Sequence, residues 1–168
     1  IYKLTVIDSV RDCAGNFIPI NSNVLFAIPD EPIANDLLIN EVLSSPPTDG
    51  YDYVEVYNNS DKIFDLGELF IASYDTIIDT IDDKKDINDE IYLIFPGDYY
   101  CLTVEPDAIK KLYYTENPKQ FVKVPSMPSY NNDDGIVVIA DKNNLVVDKF
   151  IYNETMHFPL LKTTKGVS

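Results

Sequence analysis

The sequence predicts an all-β fold, a Greek-key β-sandwich carrying one short helical insertion, and three observations predict it. Short stretches of alternating apolar and polar residues, bounded by Gly, Pro, Asn and Asp clusters, recur about every 8 to 15 residues from Leu37 onward. Twelve Tyr and eight Phe, with many Val and Ile and no Trp, favour strands over helices. Only one segment has helical start chemistry, around Pro106.

The chain is organised around residues Leu37 to Ser60. Leu38, Asn40 and Val42 alternate with Ile39, Glu41 and Leu43, and Val54 and Val56 alternate with Tyr53, Glu55 and Tyr57, so each stretch reads as a strand with one buried face. Ser44-Ser45-Pro46-Pro47-Thr48-Asp49-Gly50 between them is a turn-rich loop. Ahead of this pair, Tyr2–Ile7 and Val24–Ile28 read as extended. The run Ile28-Pro29-Asp30-Glu31-Pro32-Ile33-Ala34-Asn35-Asp36 carries prolines and acids that favour an extended connector.

Downstream, Glu68–Ser73 is the third strand, Thr76–Ile81 a weaker one, and Asp82–Glu90 a charged loop. Ile91–Phe95 and Tyr99–Val104 flank Pro96-Gly97, where Gly supplies the positive φ of a type II turn, so a hairpin is expected. Pro106 suits the first helical turn, Glu105 and Asp107 its positive end, and Ala108, Ile109 and Leu112 form an apolar stripe. Phe121–Val124 is a short extended piece. Gly135–Ala140 and Leu145–Tyr152 pair across the turn Asp141-Lys142-Asn143-Asn144.

A chain of 168 residues buries roughly 70% of its unfolded surface, enough for a core without metals or disulfides. A formal charge of −15 repels phosphate backbones and anionic headgroups, so neither nucleic acid nor a membrane surface is an expected partner. No run approaches the ~20 apolar residues that span a bilayer, and direct membrane insertion is not expected. Two cysteines do not define a redox compartment.

INEV (Ile39–Val42), DYVEVYNNSD (Asp52–Asp61) and DLGELFIAS (Asp65–Ser73) resemble, in that order, the opening strands of the lamin tail domain. FPGDYYCLTVEPDAI, VPSMPSYNNDDG and NETMHFPLLKTTKGVS are similar to its bacterial branch. VRDCAGN resembles the turn before the last strand of bacterial Ig-like domains. The resemblance implies an Ig-like sandwich over residues 37–168, a linker over 29–36, and the C-terminal strands of an upstream Ig-like domain over 1–28; the alternative is that these first strands join the main sheet. IYKLTV opens in mid-strand, as expected of a chain cut from something longer.

The resemblance further implies a non-catalytic structural, adhesion or protein-binding module of a larger extracellular or cell-surface protein, contacting a protein or a glycan. The alternatives are an accessory module of an extracellular nuclease- or phosphatase-type hydrolase, and a calcium-dependent binding module. No G-x-S-x-G, H-E-x-x-H or Walker-type loop is present, and no catalytic residue or cofactor is assigned. The single histidine, His157, reads as part of a packed strand-end segment; zinc would need it together with Cys13 or Cys101, without the usual close ligand pairs. Cys101 reads as a buried free thiol.

Calcium would draw on Asp49 with Asp52, on Asp82, Asp83, Asp86 and Asp89, or on Asn131, Asn132, Asp133 and Asp134, because hard cations gather oxygens. None has calcium-loop spacing, and each also reads as a solvated turn. Glu41 and Glu55 read as neighbours on adjacent strands, where paired carboxylates can do acid–base work. Against that, Asn or backbone donors would hold Glu41, and a flat sheet face has no cleft. Tyr51, Tyr53, Tyr57, Tyr74, Tyr99, Tyr100, Tyr113, Tyr114, Tyr130 and Tyr152 offer either a stacking platform or half-buried packing.

Overall fold

The computed structural model describes residues 1–168. Fourteen strands and one α-helix follow in order: β1 Tyr2–Thr5, β2 Val10–Arg11, β3 Phe17–Ile18, β4 Asn23–Phe26, β5 Leu37–Leu43, β6 Tyr53–Asn58, β7 Phe64–Asp65, β8 Leu69–Asp75, β9 Thr80–Asp86, β10 Leu93–Ile94, β11 Tyr99–Thr103, α1 Pro106–Leu112, β12 Phe121–Lys123, β13 Asp134–Asp141 and β14 Val146–Asn153. Two four-stranded sheets, β12-β11-β6-β5 and β14-β13-β8-β9, make an all-β sandwich. The chain passes from one sheet to the other after β6, β9 and β12. Their inner faces bury one continuous core that includes Leu37, Ile39, Val54, Val56, Phe64, Leu102, Val137 and Ile139.

At one edge β5 and β14 approach each other, and the Ile39 amide donates to the Asp148 carboxylate across 2.7 Å. On the outer face of β8 and β13, Phe70, Ala72, Val138 and Ala140 are buried as a separate layer. Lys84 lies over the Phe70 ring and Lys149 over the Tyr74 ring, so long cationic side chains cover apolar surface while keeping their heads wet.

Residues 1–28 form two antiparallel ribbons, β1 with β4 and β2 with β3, whose strands pair only with each other. Asp12 organises the β2–β3 turn by accepting the amides of Ala14 and Asn16, with Gly15 at φ +89. Tyr2, Leu4, Phe17, Ile18, Val24 and Phe26 stay exposed.

The connector is more than an extended spacer. The Asp30 amide donates to Ile63 O, the Asn35 amide to Val147 O and the Asn59 amide to Asp36 O, while Lys62 pairs with Asp36 at 2.9 Å. Partial burial works against ionisation of Asp36, yet the Ile33 amide and the Lys62 ammonium outweigh it and hold its carboxyl below the usual value.

Three expectations require correction. Asp82–Asp86 is strand rather than loop: Thr80–Asp86 forms β9 on β8, at an edge, where the charged run Asp82-Asp83-Lys84-Lys85-Asp86 deters further pairing. A bulge in this pair places Asp83 at φ +43. Thr76–Asp79 is the β8–β9 turn rather than part of a strand, and the Asp75 carboxylate caps it by accepting the Ile77 and Ile78 amides. Finally, Pro96-Gly97 makes a turn with Gly97 at φ +78, but the strands on either side do not pair. β10 joins β7, whereas β11 lies between β6 and β12.

Candidate functional site

The outer face of the sheet β12-β11-β6-β5 carries the densest grouping of chemically capable side chains. Its layout follows from register. Leu37 and Ile39 point inward, and an irregularity between Ile39 and Glu41 leaves Asn40 without a partner, so Glu41 and Leu43 emerge on the outer face while Val42 packs against the core. Strand pairing then sets side chains in rows across that face. One row is Leu43, Tyr53, Thr103 and Lys123; the next is Glu41, Glu55, Cys101 and Phe121; the third is Leu38, Tyr57 and Tyr99.

The helix arrives over this face because β11 and β12 are parallel and need a crossover, which α1 provides. Ile109 is buried against Leu43, Tyr53 and Cys101, with Tyr113 and Phe121 packed alongside. Of the expected apolar stripe only Ile109 is buried, and Leu112 is exposed. Tyr113 donates to the Gly166 carbonyl at 2.9 Å, tying the helix end to the C-terminal segment, whose Gly166 amide bonds Ser45 O.

A groove therefore exists where a flat face was expected. It comprises two adjoining cavities of about 270 and 290 Å³ that share Glu55, Cys101, Thr115 and Phe121. Glu41 and Glu55, expected as neighbours on adjacent strands, stand directly opposite each other on β5 and β6. Glu41 accepts the hydroxyls of Tyr53 and Ser168 rather than Asn or backbone donors, and it is Glu55 that accepts the Asn40 amide, at 2.7 Å. Desolvation and the facing Glu41 charge raise the Glu55 carboxyl above its usual value against the effect of Asn40. Burial, with Glu55 and Glu41 beside it, drives the Cys101 thiol far above its ordinary range, so it stays protonated.

The remaining candidates are scattered. Cys13 is exposed on the β2–β3 turn and Cys101 is buried on β11; both are free thiols. Asp49, Asp82, Asp86, Asp89, Asp133 and Asp134 are exposed, and Asp83 is bonded to Lys85 and the Ser129 amide. No three His, Cys, Asp or Glu side chains converge at metal-ligand spacing. His157 is half-buried just past a 3₁₀ turn (Glu154–Met156) capped by Asn153, and the flanking Met156 and Phe158 are exposed. That segment was expected to be packed, but it runs over the surface instead.

The tyrosines divide by location. Tyr53, Tyr130 and Tyr152 are buried, Tyr57 stacks on Tyr99 at 4.5 Å on the groove face, and Tyr114 is exposed at the rim. Sequence reasoning missed the closing role of Tyr113 and the C-terminal segment, because nothing local ties residue 166 to residue 113. Asn40 did carry a signal: a polar residue interrupts the apolar run at the point where the strand changes face.

Asp52, at the entry to β6, has a carboxyl raised to about 6 by desolvation alone. Its native pKa lies above the unfolded one, so the native state holds the extra proton between about pH 4 and 6 and stability falls as pH rises through that window. Asp52→Asn is expected to raise the melting temperature at pH 7, with the gain shrinking to nothing by about pH 4. Thermal melts of both proteins across this range test it, and a pH-independent difference would contradict the assignment.

No protein-family model matches the chain, and no curated protein matches it significantly.

Proposed function

We propose that the chain is a non-catalytic binding module of a larger secreted or cell-surface protein, built on a sandwich resembling the bacterial lamin tail domain. Residues 1–28 act as the closing strands of a preceding Ig-like domain. The observation that carries the binding role is the aromatic-walled groove between α1 and the outer sheet face, with carboxylates on its floor. Concave sites with apolar walls and a few convergent polar groups are the usual form of a ligand site. Its one thiol is held protonated, which suits recognition better than nucleophilic chemistry. The exposed apolar side chains of the β1–β4 ribbon support the second part, since a two-stranded ribbon is marginal in water until more strands cover it.

Probing protein and glycan arrays with the chain tests the function. The expected result is saturable capture of a protein or glycan that is recovered chemically intact. Cleavage products found by mass spectrometry would replace this reading with the hydrolytic one.

A further inference from the structure

We infer that the groove under α1 receives a guanidinium or ammonium side chain of a partner polypeptide. This rests on the binding-module reading and gives its ligand a chemistry. Three features of the groove converge on it.

The first is charge. Glu41 and Glu55 are a direct cross-strand pair of like sign, an arrangement that is destabilising in an antiparallel ladder. Neither takes part in an ion pair, although the structure has five. Lys110 lies over the Phe121 ring and 3.6 Å from Asp107 rather than paired with either carboxylate, so the two carboxylates have no ion-pair partner within the protein. Glu116 adds a third carboxylate to the wall.

The second is geometry. Directly opposed residues on paired strands have Cβ atoms about 5 Å apart, so the two carboxylates offer acceptors side by side. A planar guanidinium presents several donors in a fork that suits such a pair, and an ammonium presents three. Glu41 already accepts two hydroxyls and Glu55 one amide, so both are held in place before a ligand arrives.

The third is the wall. The flanking Tyr99 and Tyr114 are exposed at the groove, and Phe121, whose ring already carries Lys110, is half-buried beside it. Aromatic faces attract cations and pack against the methylene stem of Lys or Arg. The Cys101 thiol, 6% exposed and without a hydrogen-bond partner, opens onto both cavities and adds an apolar patch to the floor. A neutral peptide would leave the carboxylates without a counter-charge, and an acidic one would be repelled.

The test is a backbone-amide NMR titration of the intact chain with Nα-acetyl-arginine amide and Nα-acetyl-lysine amide. Nα-acetyl-citrulline amide serves as the uncharged match for arginine. The expected result is a saturable shift, with a low-millimolar midpoint, confined to Glu55, Cys101, Thr115 and Phe121 and absent with citrulline. Glu55→Gln, checked as folded by its own spectrum, should weaken it about tenfold, as loss of one charge-assisted bond implies. Glu68→Gln, an exposed carboxylate that lines neither cavity of the groove, should not change it. Equal shifts with citrulline, shifts spread over the acidic surface, or an unchanged midpoint in Glu55→Gln would overturn the proposal. The probes are single amino-acid derivatives, so this result is independent of whether an array yields a macromolecular partner.

Discussion

Phe64→Ala is expected to destabilise the sandwich by about 3–5 kcal/mol, the usual cost of emptying a large aromatic site in a core. Phe64 is fully buried on β7, which is only two residues long, and pairs with Ile94 of β10. A two-residue strand has few hydrogen bonds of its own, so burial of Phe64 and Ile94 in the shared core is what holds this pair in place. Domains of this kind are stable by about 5–15 kcal/mol, so the change removes a large share. Urea denaturation followed by circular dichroism measures it. Ile77→Ala is the control: Ile77 is 92% exposed on the β8–β9 turn and should change stability by no more than about 0.5 kcal/mol. A loss at Phe64 as small as that of the control would mean that its side chain does not anchor the core.

Asn58→Ala should cost about 3 kcal/mol despite removing only a few atoms. Asn58 is completely buried, and its amide uses both ends. Nδ2 donates to the Lys62 carbonyl at 2.8 Å and the Ile94 carbonyl at 3.2 Å, while Oδ1 accepts the Ser60 amide and hydroxyl at 3.0 and 2.9 Å. Its own backbone bonds the turn before β11, through Asp98 O and the Gly97 amide. One side chain thus fastens the β6–β7 turn to β10, and truncation strands several polar groups together. Asn58→Asp separates hydrogen bonding from shape, because its carboxylate would face two carbonyls that now receive an N–H. It should lose at least as much at neutral pH and regain part of that as the carboxyl protonates in acid. Chemical denaturation at several pH values gives both numbers, and an Asp variant as stable as the native protein at neutral pH would refute the bond assignment.

Much of the sandwich was legible because strand periodicity is a local property. Leu37–Leu43 and Tyr53–Asn58 emerge as β5 and β6, Pro106–Leu112 as the helix, and Asp141–Asn144 as a hairpin turn, with Asn144 at φ +68. β9 was not legible, since an edge strand needs few apolar residues and its charges read as a loop. That Glu41 and Glu55 lie on adjacent strands was legible, but their direct opposition was not, because it depends on the irregularity at Asn40 that shifts the register of β5. The groove above them was not, because it depends on where a parallel crossover sets down its helix.

By itself the sequence determined which segments extend, where they turn, and that the surface is strongly acidic, because φ/ψ preference, side-chain alternation and charge are carried by neighbouring residues. Only the tertiary structure decided which strands share a sheet. It sent β10 and β11 to different partners across one Pro-Gly turn, made Asn40 the residue where β5 changes face, and brought Tyr113 and Gly166 together. Those outcomes depend on the burial that distant segments can offer one another, and that quantity exists only once the chain has folded.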